Sequence, residues 1–168
     1  GTNCLHSVGA DCTPDGRCPT NFPSGPSMAA TFSRTTIRGV ANFVGRELRA
    51  LANAAAQAVD RGELDPYDYL VTGLSGFGPN VNLVKDPRYG RNSELAGEDP
   101  YLSGRYASAY VKGMQQRATG AGGQSLYKMR AYLKHYTAYS VETSRFTFSA
   151  NLSASDLHDS NLPQYAAA

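Results

Sequence analysis

The sequence predicts an α/β fold with parallel strands joined by crossover helices. Three observations predict it: an amphipathic helical pattern beginning at Ser33, short apolar runs of strand length at Val81–Val84 and Ala131–Tyr136, and a second capped helix between those runs. With two clear strands, or three if 70–72 contributes, the sheet does not close within these 168 residues.

Taken in order, the segment from Thr13 to Pro26 carries Pro14, Gly16, Pro19, Pro23 and Gly25, and reads as a loop of defined shape. After Ser33, Ile37, Val40, Val44, Leu48 and Leu51 recur at three- and four-residue steps. Arg34, Arg38, Arg46 and Arg49 take the other faces, and Gly62 supplies a stop. A strand is expected at Val81–Val84, following the breaker Gly78-Pro79, and Asp86 to Arg91 forms a loop. Asp99-Pro100 opens the next helix: the carboxylate accepts free amide protons at the cap, and proline occupies a site where no amide hydrogen is missed. Its buried stripe is Leu102, Tyr106, Tyr110 or Ala109, and Met114, and the glycine run at Gly120 ends the unit. Ala131–Tyr136 is the second strand, and Ser155 is expected to cap a last helix through Leu162.

Composition excludes several functions. Sixteen Lys and Arg against 14 Asp and Glu leave a net charge of +2 with the signs interspersed, which is no nucleic-acid footprint. No apolar run approaches the roughly 20 residues of a membrane-spanning helix. Cys4, Cys12 and Cys18 lie in a Gly- and Pro-rich segment that a disulfide can staple, with one thiol left over. Reduced cysteines and a metal site with His6 are the alternatives, although intervals of eight and six residues are not zinc-knuckle spacings. Neither a metal nor a cofactor is expected. The chain begins at Gly1 with no basic and apolar leader, and reads as a processed product or a piece of something longer.

Three polar clusters fall where α/β proteins place their chemistry, near the carboxyl ends of strands. They are Arg88 with Arg91, the pair Lys134-His135, and Glu94 with Glu98 and Asp99. Each also has a purely structural reading: ion pairs of the arginines with Asp86 or Glu94, carboxylate partners for Lys134-His135, and helix capping by Glu98 and Asp99. The glycine run at Gly120 lacks the lysine of a phosphate loop, and no Gly-x-Ser-x-Gly elbow is present. Asn151-Leu-Ser153 is a glycosylation sequon, compatible with a secretory route.

The stretch 78–102, GPNVNLVKDPRYGRNSELAGEDPYL, resembles the signature loop of glycoside hydrolase family 3, in particular its β-xylosidase branch. So do LKHYTAY at 133–139, RFTF at 145–148, NLSASDLHDSNLP at 151–163, LHSV at 5–8 and PTNFPSGPSMAATF at 19–32, in the family's order and nearly end to end. The resemblance implies a partial (β/α)8 TIM-barrel-like domain. Residues 1–168 would be its N-terminal portion, with a Cys- and Pro-rich segment at 1–26 and βα units over 27–168; a complete barrel takes about 250 residues. It implies a retaining exo-β-glycosidase that cleaves terminal sugars from β-linked oligosaccharides or xylosides, using two carboxyl groups about 5 Å apart.

By the same resemblance Arg91, Lys134 and His135 bind hydroxyls of the terminal sugar, with Arg88 the weaker candidate. Asn3 stands where the family generally carries an acid that grips two hydroxyls. Tyr89 replaces a usual Trp and Ser7 a Gly. The family's nucleophile and general acid come from later regions, outside this sequence, and Glu63, Asp65, Asp68, Glu142, Asp156 and Asp159 form no pair that replaces them. Catalysis by these residues alone is therefore not expected. The chain reads as part of a secreted glycosidase, its open barrel covered by the rest of the polypeptide or by other subunits. The alternative is a non-catalytic structural or binding subunit derived from one; a small independent carbohydrate-binding module fits least, since those are mostly all-β.

Overall fold

The computed structural model describes residues 20–65 and 74–168. Helix α1 (Gly25–Ala29) precedes the long helix α2 (Arg34–Asp60), strand β1 (Ser75–Asn80) and helix α3 (Pro100–Met114). A hairpin of β2 (Arg117–Thr119) and β3 (Ser125–Tyr127) leads into β4 (Arg130–Lys134). The described chain ends in α4 (Ala154–Asp156), a π turn at Leu157–Asn161 and α5 (Pro163–Ala166). β1 and β4 pair in parallel, Ser75 beside Arg130 and Phe77 beside Tyr132, and the register shifts before Asn80 meets Lys134. α3 lies in the connection between them, so this is the crossover unit that the sequence predicts.

The helices form for the expected reasons. The Ser33 hydroxyl accepts the amide of Thr36 at 3.2 Å, and the Asp99 carboxylate accepts those of Tyr101 and Leu102 at 3.0 and 2.9 Å. Ile37, Ala41, Val44 and Leu48 of α2 pack against Tyr106, Ala109, Tyr110 and Met114 of α3, with Met28 and Met129 closing the cluster. Each large apolar side chain removed from water there stabilises by about 1.5–3 kcal/mol. Contact is close because Gly113 lies directly under α2, where a β-carbon would sit 2.3 Å from the Arg38 carbonyl oxygen.

Several boundaries differ from expectation. The first strand is Ser75–Asn80, not Val81–Val84: Gly78-Pro79 lies inside it, because Pro79 falls at the register shift, where no ladder bond requires its missing amide hydrogen. Val81 still reaches β4, donating to the Lys134 carbonyl at 2.9 Å. The second strand stops at Lys134, not Tyr136. The Gly120 run is the turn of the β2–β3 hairpin, and α1 begins within the segment read as loop. Leu51 is exposed, and Ala52 takes its place in the core. Ser153, not Ser155, caps the last helical segment, accepting the Asp156 amide at 3.0 Å, and that segment is broken into three short pieces. Residues 70–72 and the three cysteines lie outside the described residues. No described helix is long and apolar enough to cross a membrane.

Candidate sugar-binding site

β1 and β4 run in parallel, so their carboxyl ends deliver Asn80 and Lys134 to the same level, where the loop after β1 folds back over them. That loop is tied by the Asn92 side-chain amide, which donates to the Asp86 carbonyl at 2.8 Å, and by the Val84 amide, which donates to the Gly97 carbonyl at 3.0 Å. Helix α1 buttresses it from outside: a β-carbon on Gly25 would lie 2.5 Å from the Glu94 carbonyl oxygen.

Glu94 is the hub. Its carboxylate accepts from Arg91 Nε at 2.8 Å and Nη2 at 3.0 Å, from Lys134 Nζ at 3.2 Å and from Asn80 Nδ2 at 3.2 Å. The three charged side chains are only 17% (Arg91), 12% (Glu94) and 11% (Lys134) exposed. Burial pushes the Glu94 carboxyl up, and the Arg91 hydrogen bond, the Lys134 charge and the Asn80 amide outweigh it, so the group sits below its ordinary value and stays ionised.

His135 follows Lys134 and is held through its backbone. Its amide donates to Asn82 Oδ1 at 2.8 Å, and its carbonyl accepts from Asn82 Nδ2 at 2.9 Å and from the Tyr165 hydroxyl at 2.8 Å. The Asn82 amide in turn donates to Asn80 Oδ1 at 3.1 Å, which joins the two asparagines of the strand exit to the Glu94 hub. The His135 ring stands edge-on to Tyr139 at 4.9 Å, and Tyr139 contacts Tyr89 and Phe148. Burial, with the Arg91 and Lys134 charges, lowers the imidazole pKa to about 4. It is therefore neutral at physiological pH, and its Nδ1 is buried without a hydrogen-bond partner.

A cavity of about 390 Å³ opens beside these groups, lined by Arg91, His135, Tyr136, Tyr139, Arg145 and Phe146 among others. The wall combines cations, a neutral imidazole and aromatic rings, a surface that can donate hydrogen bonds to hydroxyls and stack on the apolar face of a ring. No carboxylate lines it among the described residues. Glu142 is turned to Tyr139 and Arg145, Glu63 pairs with Arg61, and Asp156 is bonded to Ser153. No group of three His, Cys, Asp or Glu among the described residues is placed to hold a metal.

The structure thus brings Arg91, Lys134 and His135 together. Arg88 points away, 89% exposed and paired with Asp86. Asp99 is the helix cap, and Asn3 lies outside the described residues. Both structural readings of the arginines hold, Arg88 to Asp86 and Arg91 to Glu94, and Lys134 finds its carboxylate in the same Glu94. Asn80, Asn82, Tyr139 and Tyr165 escaped the sequence reading; the alternation of two asparagines with Val81 and Leu83 was the available signal, since buried amides at a strand exit need partners.

Residues 13–168 match the glycosyl hydrolase family 3 N terminal domain. The chain belongs to glycoside hydrolase family 3. Among curated relatives of this family-3 segment, it is 38% identical over 150 residues to β-xylosidase/α-L-arabinofuranosidase 1 of Medicago sativa subsp. varia, covering 87% of this chain and 17% of the relative. It is 36% identical over 167 residues to β-D-xylosidase 3 of Arabidopsis thaliana, covering 96% of this chain and 19% of the relative. Among solved structures, a GH3 exo-β-xylosidase in complex with a xylobiose aziridine activity-based probe superposes with a TM-score of 0.70 at 25% identity, over 92% of this chain and 18% of that one. β-Glucosidase 3B from Thermotoga neapolitana, in complex with α-D-glucose, gives 0.69 at 25% identity over 94% and 18%. The fold is accordingly a partial α/β TIM-barrel-like domain, and the family-3 segment spans less than a fifth of the length of these relatives.

Proposed function

We propose that this chain supplies the sugar-binding wall of a retaining exo-β-glycosidase of β-xylosidase type, whose nucleophile and general acid lie in other parts of the barrel. The observation that carries this reading is the gathering of Arg91 and Lys134 on Glu94 beside the neutral imidazole of His135, with Arg91 and His135 lining the cavity. Glu94 offsets one of the two neighbouring positive charges and fixes the direction of both side chains. A terminal sugar presents several hydroxyl oxygens to Arg91, Lys134 and the imidazole of His135. Such donors orient the ring ahead of chemistry and strengthen as it distorts toward the transition state. Asn3 would contribute a neutral contact in place of a charged one.

The two-stranded sheet leaves Phe77 and Tyr132 60% and 46% exposed, and the rest of the polypeptide or partner subunits would cover that face. The sequon at Asn151, on an exposed segment, supports a secretory route, and a mass shift on endoglycosidase treatment checks it. The decisive experiment is Lys134→Ala in the polypeptide at its natural length, assayed on aryl β-xyloside and β-glucoside. A fall in kcat/KM of about a hundredfold, equivalent to roughly 3 kcal/mol of transition-state stabilisation, is expected. An unchanged kcat/KM sinks the assignment.

A further inference from the structure

A second cavity, of about 570 Å³, lies between α2 and α3 and shares no lining residue with the sugar pocket. Its cations are Arg34 and Arg38 from α2 and Arg105 and Lys112 from α3, all exposed; Asn42, whose side-chain oxygen accepts from Lys128, and Gln116 also line it. No Asp or Glu lines it. Elsewhere among the described residues, Arg61, Arg88, Arg91, Lys134 and Arg145 are ion-paired, and Lys85, Arg49, Arg117 and Lys128 donate to neutral oxygens. The four groove cations take no ion pair or hydrogen bond from any described residue, and Arg105 has only the Tyr101 ring at 5.9 Å. In a chain of net charge +2, this concentrates one sign of charge on one surface.

We propose that the α2–α3 groove binds a uronate-bearing polysaccharide, for example xylan carrying glucuronate side groups, separately from the sugar pocket. Arg34 and Arg38 stand one helical turn apart, about 6 Å, and Arg105 and Lys112 two turns apart, about 10.5 Å, so the groove presents charge in steps along its length. Guanidinium forks match carboxylates in two parallel hydrogen bonds, and the Gln116 amide and the hydroxyls of Thr35 and Ser108 suit sugar hydroxyls. A polymer with carboxylates spaced among hydroxyls has this chemistry. A single-stranded nucleic acid fits less well, because no aromatic side chain lines the groove for bases to stack on. Only the choice of a xylan as the polymer rests on the glycosidase reading. Since the cations are exposed, each contact is individually weak, and binding depends on several at once and on low salt.

The test uses the polypeptide at its natural length and affinity electrophoresis in glucuronoxylan, neutral arabinoxylan or duplex DNA. Arg38→Glu with Arg105→Glu is compared with the unaltered protein, and Arg38→Gln with Arg105→Gln stands in if the reversal misfolds. Retardation by glucuronoxylan that weakens about tenfold in the variant, together with hydrolysis of aryl β-xyloside that does not change, is the expected result. Equal retardation by neutral and acidic xylan, a variant within about twofold of the parent, or tighter binding of DNA overturns the proposal. So does protection of Arg34, Arg38 and Arg105 from phenylglyoxal in the absence of glycan, which would mean that polypeptide already fills the groove. Absence of xyloside hydrolysis in the unaltered protein would instead count against the function assigned to the pocket, and the retardation measurements still decide the groove.

Discussion

Replacing Glu94 with Gln removes one charge and little else: the side chain keeps its length and one carbonyl acceptor. It leaves Arg91 and Lys134, 17% and 11% exposed, without the carboxylate that both touch, with the Glu142 charge still acting on Arg91. Breaking a fully buried pair by deleting one partner costs about 3–5 kcal/mol. Between a tenth and a fifth of each side chain still meets water and the glutamine carbonyl retains a bond, so the expected loss is about 2–3 kcal/mol. Urea unfolding near pH 7 reads this as a lower midpoint at unchanged slope. The loss also has a pH signature. The folded-state pKa of Glu94 is depressed, so its contribution is complete above the ordinary carboxylate value of about 4.3 and disappears as pH falls through the lower folded value. Parent and variant therefore converge in acid. A gap below about 0.5 kcal/mol near pH 7, or the same gap near pH 3.5, refutes the hub.

The Asn82→Ala variant deletes both hydrogen bonds to the His135 backbone and is expected to cost about 2–3 kcal/mol in denaturant unfolding; a neutral effect would mean that Tyr165 alone holds the strand exit. The His135 imidazole should titrate by NMR near the depressed value of about 4, and a midpoint near 6.5 contradicts its burial beside two cations. Between about pH 6.5 and 4 the unfolded chain takes up a proton that the folded chain refuses, so this group lowers stability as pH falls across that window. Gly113→Ala places a β-carbon 2.3 Å from the Arg38 carbonyl and should cost about 2 kcal/mol or more, whereas Gly39→Ala, with nothing within 4 Å, should stabilise α2 by about 0.5–1 kcal/mol; thermal unfolding of the pair separates helix propensity from helix contact.

The helices were legible because their causes are local. The caps at Ser33 and Asp99 and the apolar stripes from Ile37 and Tyr106 lie within a few residues of what they control. Strand limits were not, since a strand ends where its partner does: the ladder of β1 is decided by residues more than fifty positions away in β4, which is why it includes Gly78-Pro79. Leu51 shows the same limit on the helical stripe: from Leu48 the buried face continues four residues on, to Ala52, and not three, to Leu51.

By itself, the sequence determined the α/β class, the two main helices and the family resemblance, and it singled out Arg91, Lys134 and His135 as candidates. Only the tertiary structure decided that one carboxylate, Glu94, serves both cations, that Asn80 and Asn82 hold the strand exits, and that four cations without an ion pair among the described residues share a groove between α2 and α3. The physical reason is range. Capping and periodicity act over one helical turn, whereas charge compensation and hydrogen-bond partnership belong to groups that become neighbours only when β1 and β4 lie side by side and α2 crosses α3.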